Sequence, residues 1–189
     1  MTSHLDRLAS GDWYITDESV LELQRERQSV MEEYNAAPVG DPIRRRELLL
    51  ELVGALGDDV EVRSPVYVDY GSNVHIGTRV FVNYGCQLAD VARITVGDDV
   101  QIGPNVQLLT ATHPLEPQRR RDKWETALPI TIEDNVWLGG GVIVCGGVTI
   151  GHDTVIGAGS VVTKDVPPRV LAVGSPARVV RTLEDPPAG

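Results

Sequence analysis

Four histidines, two cysteines and a scatter of carboxylates carry whatever side-chain chemistry this 189-residue chain performs. His4 lies near the N-terminus and reads as solvated. His75 stands between Val74 and Ile76, so strand alternation turns it outward, and His152 follows a corner glycine and faces water. His113 differs, because it ends the run Leu109-Thr110-Ala111-Thr112-His113-Pro114, where a regular pattern gives way to a stretch without one. A histidine there serves as a loop residue bonded to backbone, or as a general base, since an imidazole of pKa about 6.5 takes up a proton at neutral pH. Cys86 and Cys145 form no CxxC and no metal-ligand spacing, and read as small packing residues.

The elements that must position these groups show in a period of six. Ile132, Leu138, Val144, Ile150, Ile156 and Val162 recur at that interval, and Val136, Val142, Val148, Thr154 and Ser160 stand two residues before the later members. Helices repeat near 3.6 and plain strands at 2, so the pattern is neither. It suits a chain that turns a corner after every short strand, three to a coil, with glycines such as Gly139, Gly151 and Gly157 at corners. The register recurs at Ile76, Val82 and Leu88, with Val74, Val80 and Cys86, and again at Val96, Ile102 and Leu108, with Val100 and Val106. Residues 110–129 break it and read as a long loop thrown out of the coil, holding Arg119 to Arg121.

Upstream, Thr16 is a candidate N-cap for a helix through about Ala36, and Asp41-Pro42 opens a second over 42–56. The expected division is a helical cap over 1–59 and a β-helix domain over 60–183, with excursion 110–129 and a C-terminal tail from 169. Residues 184–189 read as a frayed end. The cap covers the strand edges at one end of the stack, and a cyclic trimer fits the flat sides. A net charge of −10 argues against bulk nucleic-acid binding but permits a local basic cluster for phosphate. No run approaches the roughly 18 apolar residues of a membrane span, and no signal peptide opens the chain, so a soluble cytoplasmic protein without membrane contact is expected.

Several segments together carry a family resemblance: Asn83-Tyr84-Gly85-Cys86, Asp90-Val91, Ile102-Gly103-Pro104-Asn105, Thr110-Ala111-Thr112-His113-Pro114, Asn135-Val136-Trp137-Leu138-Gly139-Gly140-Gly141, Gly157 through Pro167, and Gly174-Ser175-Pro176-Ala177-Arg178. The chain resembles, over nearly its whole length, the maltose/galactoside O-acetyltransferase branch of the hexapeptide-repeat acyltransferases. The resemblance implies a mainly β fold, a left-handed parallel β-helix with an N-terminal helical cap, assembled as a homotrimer. It implies acetyl-CoA bound between neighbouring subunits, no metal, and direct acetyl transfer to a sugar hydroxyl with His113 as general base. A backbone N–H near Gly140 or Gly141 would receive the oxyanion. For the sugar, the matching positions are Asn83, Asp90 and Asp69, with Asp17 from the cap. For coenzyme A they are Gly140, Ser160, Thr163, Lys164, Arg178 and Arg181, with Trp137 as a wall of the groove. Val91 stands where galactoside enzymes resemble one another in a second aspartate, so the pair here is closer to the maltose type. Competing readings are transfer to a serine- or chloramphenicol-type acceptor, a zinc lyase of the same architecture, and a non-enzymatic scaffold.

Overall fold

A computed structural model describes residues 2–184. The frayed end expected from 184 lies, past Glu184, outside the described residues. Three helices open the chain. Helix α1 (His4–Ser10) is capped by a reciprocal Ser3/Asp6 box and closed by Gly11 at φ 73°. Helix α2 (Glu18–Ala36) takes its N-cap from Asp17, one residue later than Thr16, because the Asp17 carboxylate accepts from the Ser19 and Val20 amides. Helix α3 (Pro42–Leu52) starts on Asp41-Pro42 as the sequence suggests. It ends four residues short of the expected 56, because Ala55–Leu56 pairs in parallel with His75–Ile76 as the first strand of the coil. Gly54 permits that entry: a Cβ there would lie 2.1 Å from the Ser72 carbonyl oxygen.

The coil is a parallel β-helix with three faces. The first stacks Val66–Val68, Cys86–Ala89, Gln107–Leu109, Ile143–Cys145 and Val161–Val162. The second runs from Ala55–Leu56 to Thr149–Ile150. The third runs from Glu61–Val62 to Val170–Gly174, with Ala177–Thr182 folding back antiparallel at its end. Every member of the period-six set from Ile132 to Val162 is at most 1% exposed, and the companion positions Val136 to Ser160 are at most 2%. The period thus marks one inward side chain per strand and a second at the corner before it.

Corners are built in two ways. Gly139, Gly151 and Gly157 sit where the next turn comes too close for a side chain, with a Cβ meeting Ala158 N at 2.5 Å, Pro168 N at 2.5 Å and Val173 Cγ1 at 2.7 Å respectively. The corner between the second and third faces, which holds Gly151, also stacks Asp59, Arg79, Asp99, Asn135, Asp153 and Arg169, all at positive φ. Polar partners run up this column. Arg79 grips Asp99 through two bonds of 2.6 and 2.7 Å, and Asn135 donates to Asp153 at 2.7 Å.

At the bottom, the exposed edge of the first turn is closed by helix side chains. Asn35 bonds both backbone groups of Val66, Tyr34 donates to Val62 O, and Arg45 reaches Val62 O, Ser64 and the Tyr34 hydroxyl. An edge that would otherwise recruit another strand is thereby satisfied. Among the described residues no helix is long and apolar enough to cross a membrane.

The 110–129 excursion is ordered where a bare loop was expected. Ala111–Thr112 pairs antiparallel with Thr126–Ala127, and Trp124–Glu125 pairs with Tyr14–Ile15 of the N-terminal segment. Between them lies a short helix, α4 (Pro117–Arg121). The ends of the excursion close on each other, Leu128 N donating to Thr110 O at 2.9 Å, and the coil resumes at Ile130 beside Ile94.

Candidate active site

The chain leaves the coil at Thr110, a fully buried residue whose hydroxyl donates to Ala89 O at 2.6 Å and accepts from Ala92 N at 3.0 Å. Three residues later His113 stands exposed at the end of the hairpin strand. Its Nδ1 faces the Trp124 carbonyl at 3.4 Å, the partner that the backbone-bonded reading of this residue calls for. A carbonyl only accepts, so in the tautomer with its proton on Nδ1 the ring donates to Trp124 O and presents the Nε2 lone pair. Among the described residues Nε2 has no hydrogen-bond partner. The backbone contact and an unpartnered Nε2 are thus compatible in one arrangement.

Beside the point of departure lies a cluster of carboxylates and phenols. Asp69 is half-buried and sits 3.5 Å from the Gln24 amide; burial, then the charges of Asp90 and Glu125, push its carboxyl up to about 6. Burial, then the charges of Asp69, Glu125 and Asp90, push the Tyr70 phenol up to about 12; burial, then Glu125, raises that of Tyr14. Glu125 accepts a hydrogen bond from Thr16 and belongs to the strand whose first carbonyl holds His113. Sequence reasoning missed it, because it lies in the unrepeated excursion and its neighbours come from more than a hundred residues away.

Asp90 departs from expectation. It is 0% exposed, and its carboxylate accepts from the amides of Asp69 (3.0 Å), Tyr70 (2.9 Å) and Asn73 (3.1 Å). It acts through the turn that carries Asp69, and its own pKa is raised by burial despite those amide bonds. Asp17 is engaged as the cap of α2, and its pKa is lowered first by the Ser19 side-chain bond. Asn83 is half-buried at the corner between the third and first faces, its Oδ1 taken by Tyr84 N at 2.8 Å and its amide nitrogen available.

That corner also carries the proposed donor end. Asn83 N bonds Ile102 O, Gly103 N bonds Leu138 O and Gly139 N bonds Ile156 O, so these residues stack at successive turns. At about 4.8 Å per strand, Asn83 lies roughly 10 Å below Gly139. The Gly141 amide is committed to Pro104 O at 2.8 Å, whereas no backbone acceptor takes that of Gly140 among the described residues. Ser160 is 0% exposed, its hydroxyl donating to Gly157 O at 2.6 Å and accepting from Gly174 N at 3.0 Å, so its side chain is folded into the corner. Trp137 projects from the third face at 56% exposure. Thr163 and Lys164 follow the last strand of the first face, and Arg178 and Arg181 lie on the terminal hairpin, all four exposed.

The groups thus fall on two corners. Asn83 and Gly140 share one; Asp69, Asp90, the root of the His113 hairpin and Lys164 share the next, across the first face. The extended chain between Asn105 and Thr110 spans roughly 15 Å. A cavity of about 700 Å³, bordered by Leu5, Leu8, Tyr14, Tyr70 and Val91, lies under α1 and includes neither His113 nor Asn83. Among the described residues no three His, Cys, Asp or Glu side chains gather as metal ligands, and the four histidines stay apart.

Comparison with known proteins agrees with this architecture. Residues 129–164 match the bacterial transferase hexapeptide (six repeats) family model. The galactoside O-acetyltransferase of Escherichia coli K12 is 40% identical over 182 residues, covering 95% of this chain and 89% of that protein. A crystal structure of a maltose O-acetyltransferase from Clostridium difficile 630 superposes with a TM-score of 0.93 at 41% identity, covering 98% of this chain and 99% of the other. A galactoside acetyltransferase in complex with coenzyme A superposes at 0.92 and 38% identity, covering 98% and 93%. Sequence and coil agree: the chain belongs to the hexapeptide-repeat acyltransferases, in the maltose/galactoside O-acetyltransferase branch.

Proposed function

We propose that this protein transfers the acetyl group of acetyl-CoA to a hydroxyl of a maltose- or glucose-like sugar in the cytoplasm, with His113 as general base. The observation that carries the reading is the Nδ1 contact of His113 with the Trp124 carbonyl, which leaves Nε2 free to accept a proton. An alcohol is too weak an acid to ionise unaided at neutral pH, so a base within reach of the hydroxyl is the first requirement. As Nε2 takes the proton, the sugar oxygen forms a bond to the thioester carbonyl carbon, and the carbonyl oxygen becomes an oxyanion. The Gly140 amide is the donor we assign to it. Collapse of the adduct expels the coenzyme A thiolate, which recovers the proton from His113, so no acyl-enzyme forms.

Asn83 and Asp69 supply a directional amide and carboxylate for sugar hydroxyls, with Asp17 at the rim and Asp90 behind Asp69. Lys164, Arg178 and Arg181 are matched to phosphate, with Thr163 beside them and Trp137 as a wall. Acceptor-side and donor-side groups both occur at the two corners that flank the first face, so a site between copies packed side by side would draw on both. That arrangement supports a cyclic homotrimer with three equivalent clefts.

The test is thiol release from acetyl-CoA against maltose, glucose, galactosides, serine and chloramphenicol, with His113→Ala alongside. We expect turnover with a sugar and a loss of at least about 10²-fold in the variant. A variant as fast as the wild type removes His113 from the mechanism. Coenzyme A binding without sugar turnover, or turnover of serine or chloramphenicol instead, overturns the acceptor.

A further inference from the structure

The run Arg119-Arg120-Arg121 lies beside the catalytic hairpin, and its side chains turn inward on the excursion itself. The Arg119 guanidinium stacks 4.4 Å from the Trp13 ring centroid and 6.0 Å from that of Trp124. His4 meets the Trp124 ring edge-on at 5.9 Å, and Arg7 covers it at 6.0 Å. Arg120 donates to the carbonyls of Pro114 (2.7 Å) and Leu115 (2.5 Å), the two residues that follow His113. Arg121 bonds Gln118 within α4. Both sides of the imidazole are thus tied to adjacent arginines of one short helix. One tie runs through the main chain at 114–115, the other through the Trp124 residue whose carbonyl holds Nδ1.

We propose that Arg119 is a positioning residue, which with Trp13 clamps Trp124 so that its carbonyl keeps His113 in the Nδ1–H tautomer. This rests on the reading of His113 as the base. Several observations set the clamp apart from general stabilisation. Trp13, Arg119 and Trp124 stand outside the continuous hydrophobic core, and a cation over an exposed ring contributes only about 0.5–1 kcal/mol. The same contact nevertheless spans from the N-terminal segment to α4 and the strand that fixes the imidazole. Losing it leaves the coil intact and loosens a single acceptor. Misplacing a reacting group by about 1 Å costs up to about 10²-fold in rate.

The experiment pairs kinetics with ¹⁵N NMR of the histidine ring nitrogens in the full-length protein, for wild type, Arg119→Ala, Arg119→Lys and His113→Ala. For Arg119→Ala we expect kcat to fall about tenfold or more, KM for acetyl-CoA and the melting temperature to hold, and His113 to show mixed tautomers above its titration. Arg119→Lys keeps a cation over the rings and restores much of both signals. An unchanged His113 tautomer in Arg119→Ala overturns the proposal, whatever happens to the rate, and so does an unchanged kcat. Should His113→Ala itself keep full activity, the base assignment fails, and the tautomer measurement still decides whether Arg119 positions the ring.

Discussion

The coil and the excursion differ in how their shape is specified. In the coil each inward residue repeats a solution already used one turn below, so Leu138 rests between Ile102 and Ile156 at 0% exposure. The excursion has no such neighbour. It is held by a two-residue strand pairing, a ring stack and two arginines, and it leaves Leu115 at 90% exposure. Packing is concentrated where the sequence repeats, and the proposed base stands where it does not, the usual division between rigid scaffold and functional loop.

The sharpest way to break this contrast is to empty one site in each region. Leu138→Ala should cost about 2–5 kcal/mol, whereas Leu115→Ala should stay within about 0.5 kcal/mol. Denaturant melts decide the matter, and comparable losses would mean that the excursion contributes to global stability. Next in size comes a pair of glycines two residues apart. Gly139→Ala drives a Cβ to 2.5 Å from Ala158 N and should cost about 1–3 kcal/mol or more. Gly141→Ala meets open space and carries only the strain of φ 69°, about 1–2 kcal/mol. The reverse order in thermal melts would mean that close approach is not what Gly139 provides.

Asp17 offers a smaller and more discriminating test. Asp17→Ala should lose the cap, about 0.5–2 kcal/mol, while Asp17→Asn keeps it almost intact. If the carboxylate also meets the sugar, the Asn variant loses acceptor affinity at an unchanged melting temperature. The smallest effect is a pH slope. The Asp69 carboxyl, at about 6 when folded against an ordinary 3.8, keeps a proton over that window which the unfolded chain has already released. Its contribution to stability is therefore complete below the lower value and fades as pH rises through the upper one. Asp69→Asn should flatten the fall in melting temperature between about pH 4 and 6 relative to wild type. A slope identical in the two proteins would assign the dependence to other groups, Asp90 first among them.

What could be read from sequence follows the same division. A period of six fixes which side chain points inward wherever a strand is flanked above and below, so every aliphatic position from Ile132 to Val162 was identifiable. The excursion announced itself only as a break, because the partners of Trp124 and Glu125 are His4, Thr16 and Arg119, whose meeting no period records. His113 was conspicuous by its place at the break. The acidic neighbours were harder to rank, since Asp69 and Asp90 look alike in a sequence. One carboxylate is half-open while the other is sealed under its own turn, a difference that depends on three backbone amides converging from residues 69–73. The burial of Ser160 was hidden in the sequence for the same reason, its hydroxyl being folded into the corner it closes. The corner ladder from Asp59 to Arg169 went unnoticed because it mixes residue types that share only a backbone angle.

The closure of Thr110 on Leu128 has a consequence for how this architecture diversifies. The coil meets the excursion as a pair of adjoining ends, and it registers little of what lies between them. Because the entropy of closing a loop grows only with the logarithm of its length, a longer or shorter insert alters stability by well under a kilocalorie per doubling, about 0.6 kcal/mol. The port at 110–128 is in that sense a socket. A new acceptor preference could be acquired by exchanging one cassette, with the thread of the screw on either side left as it was.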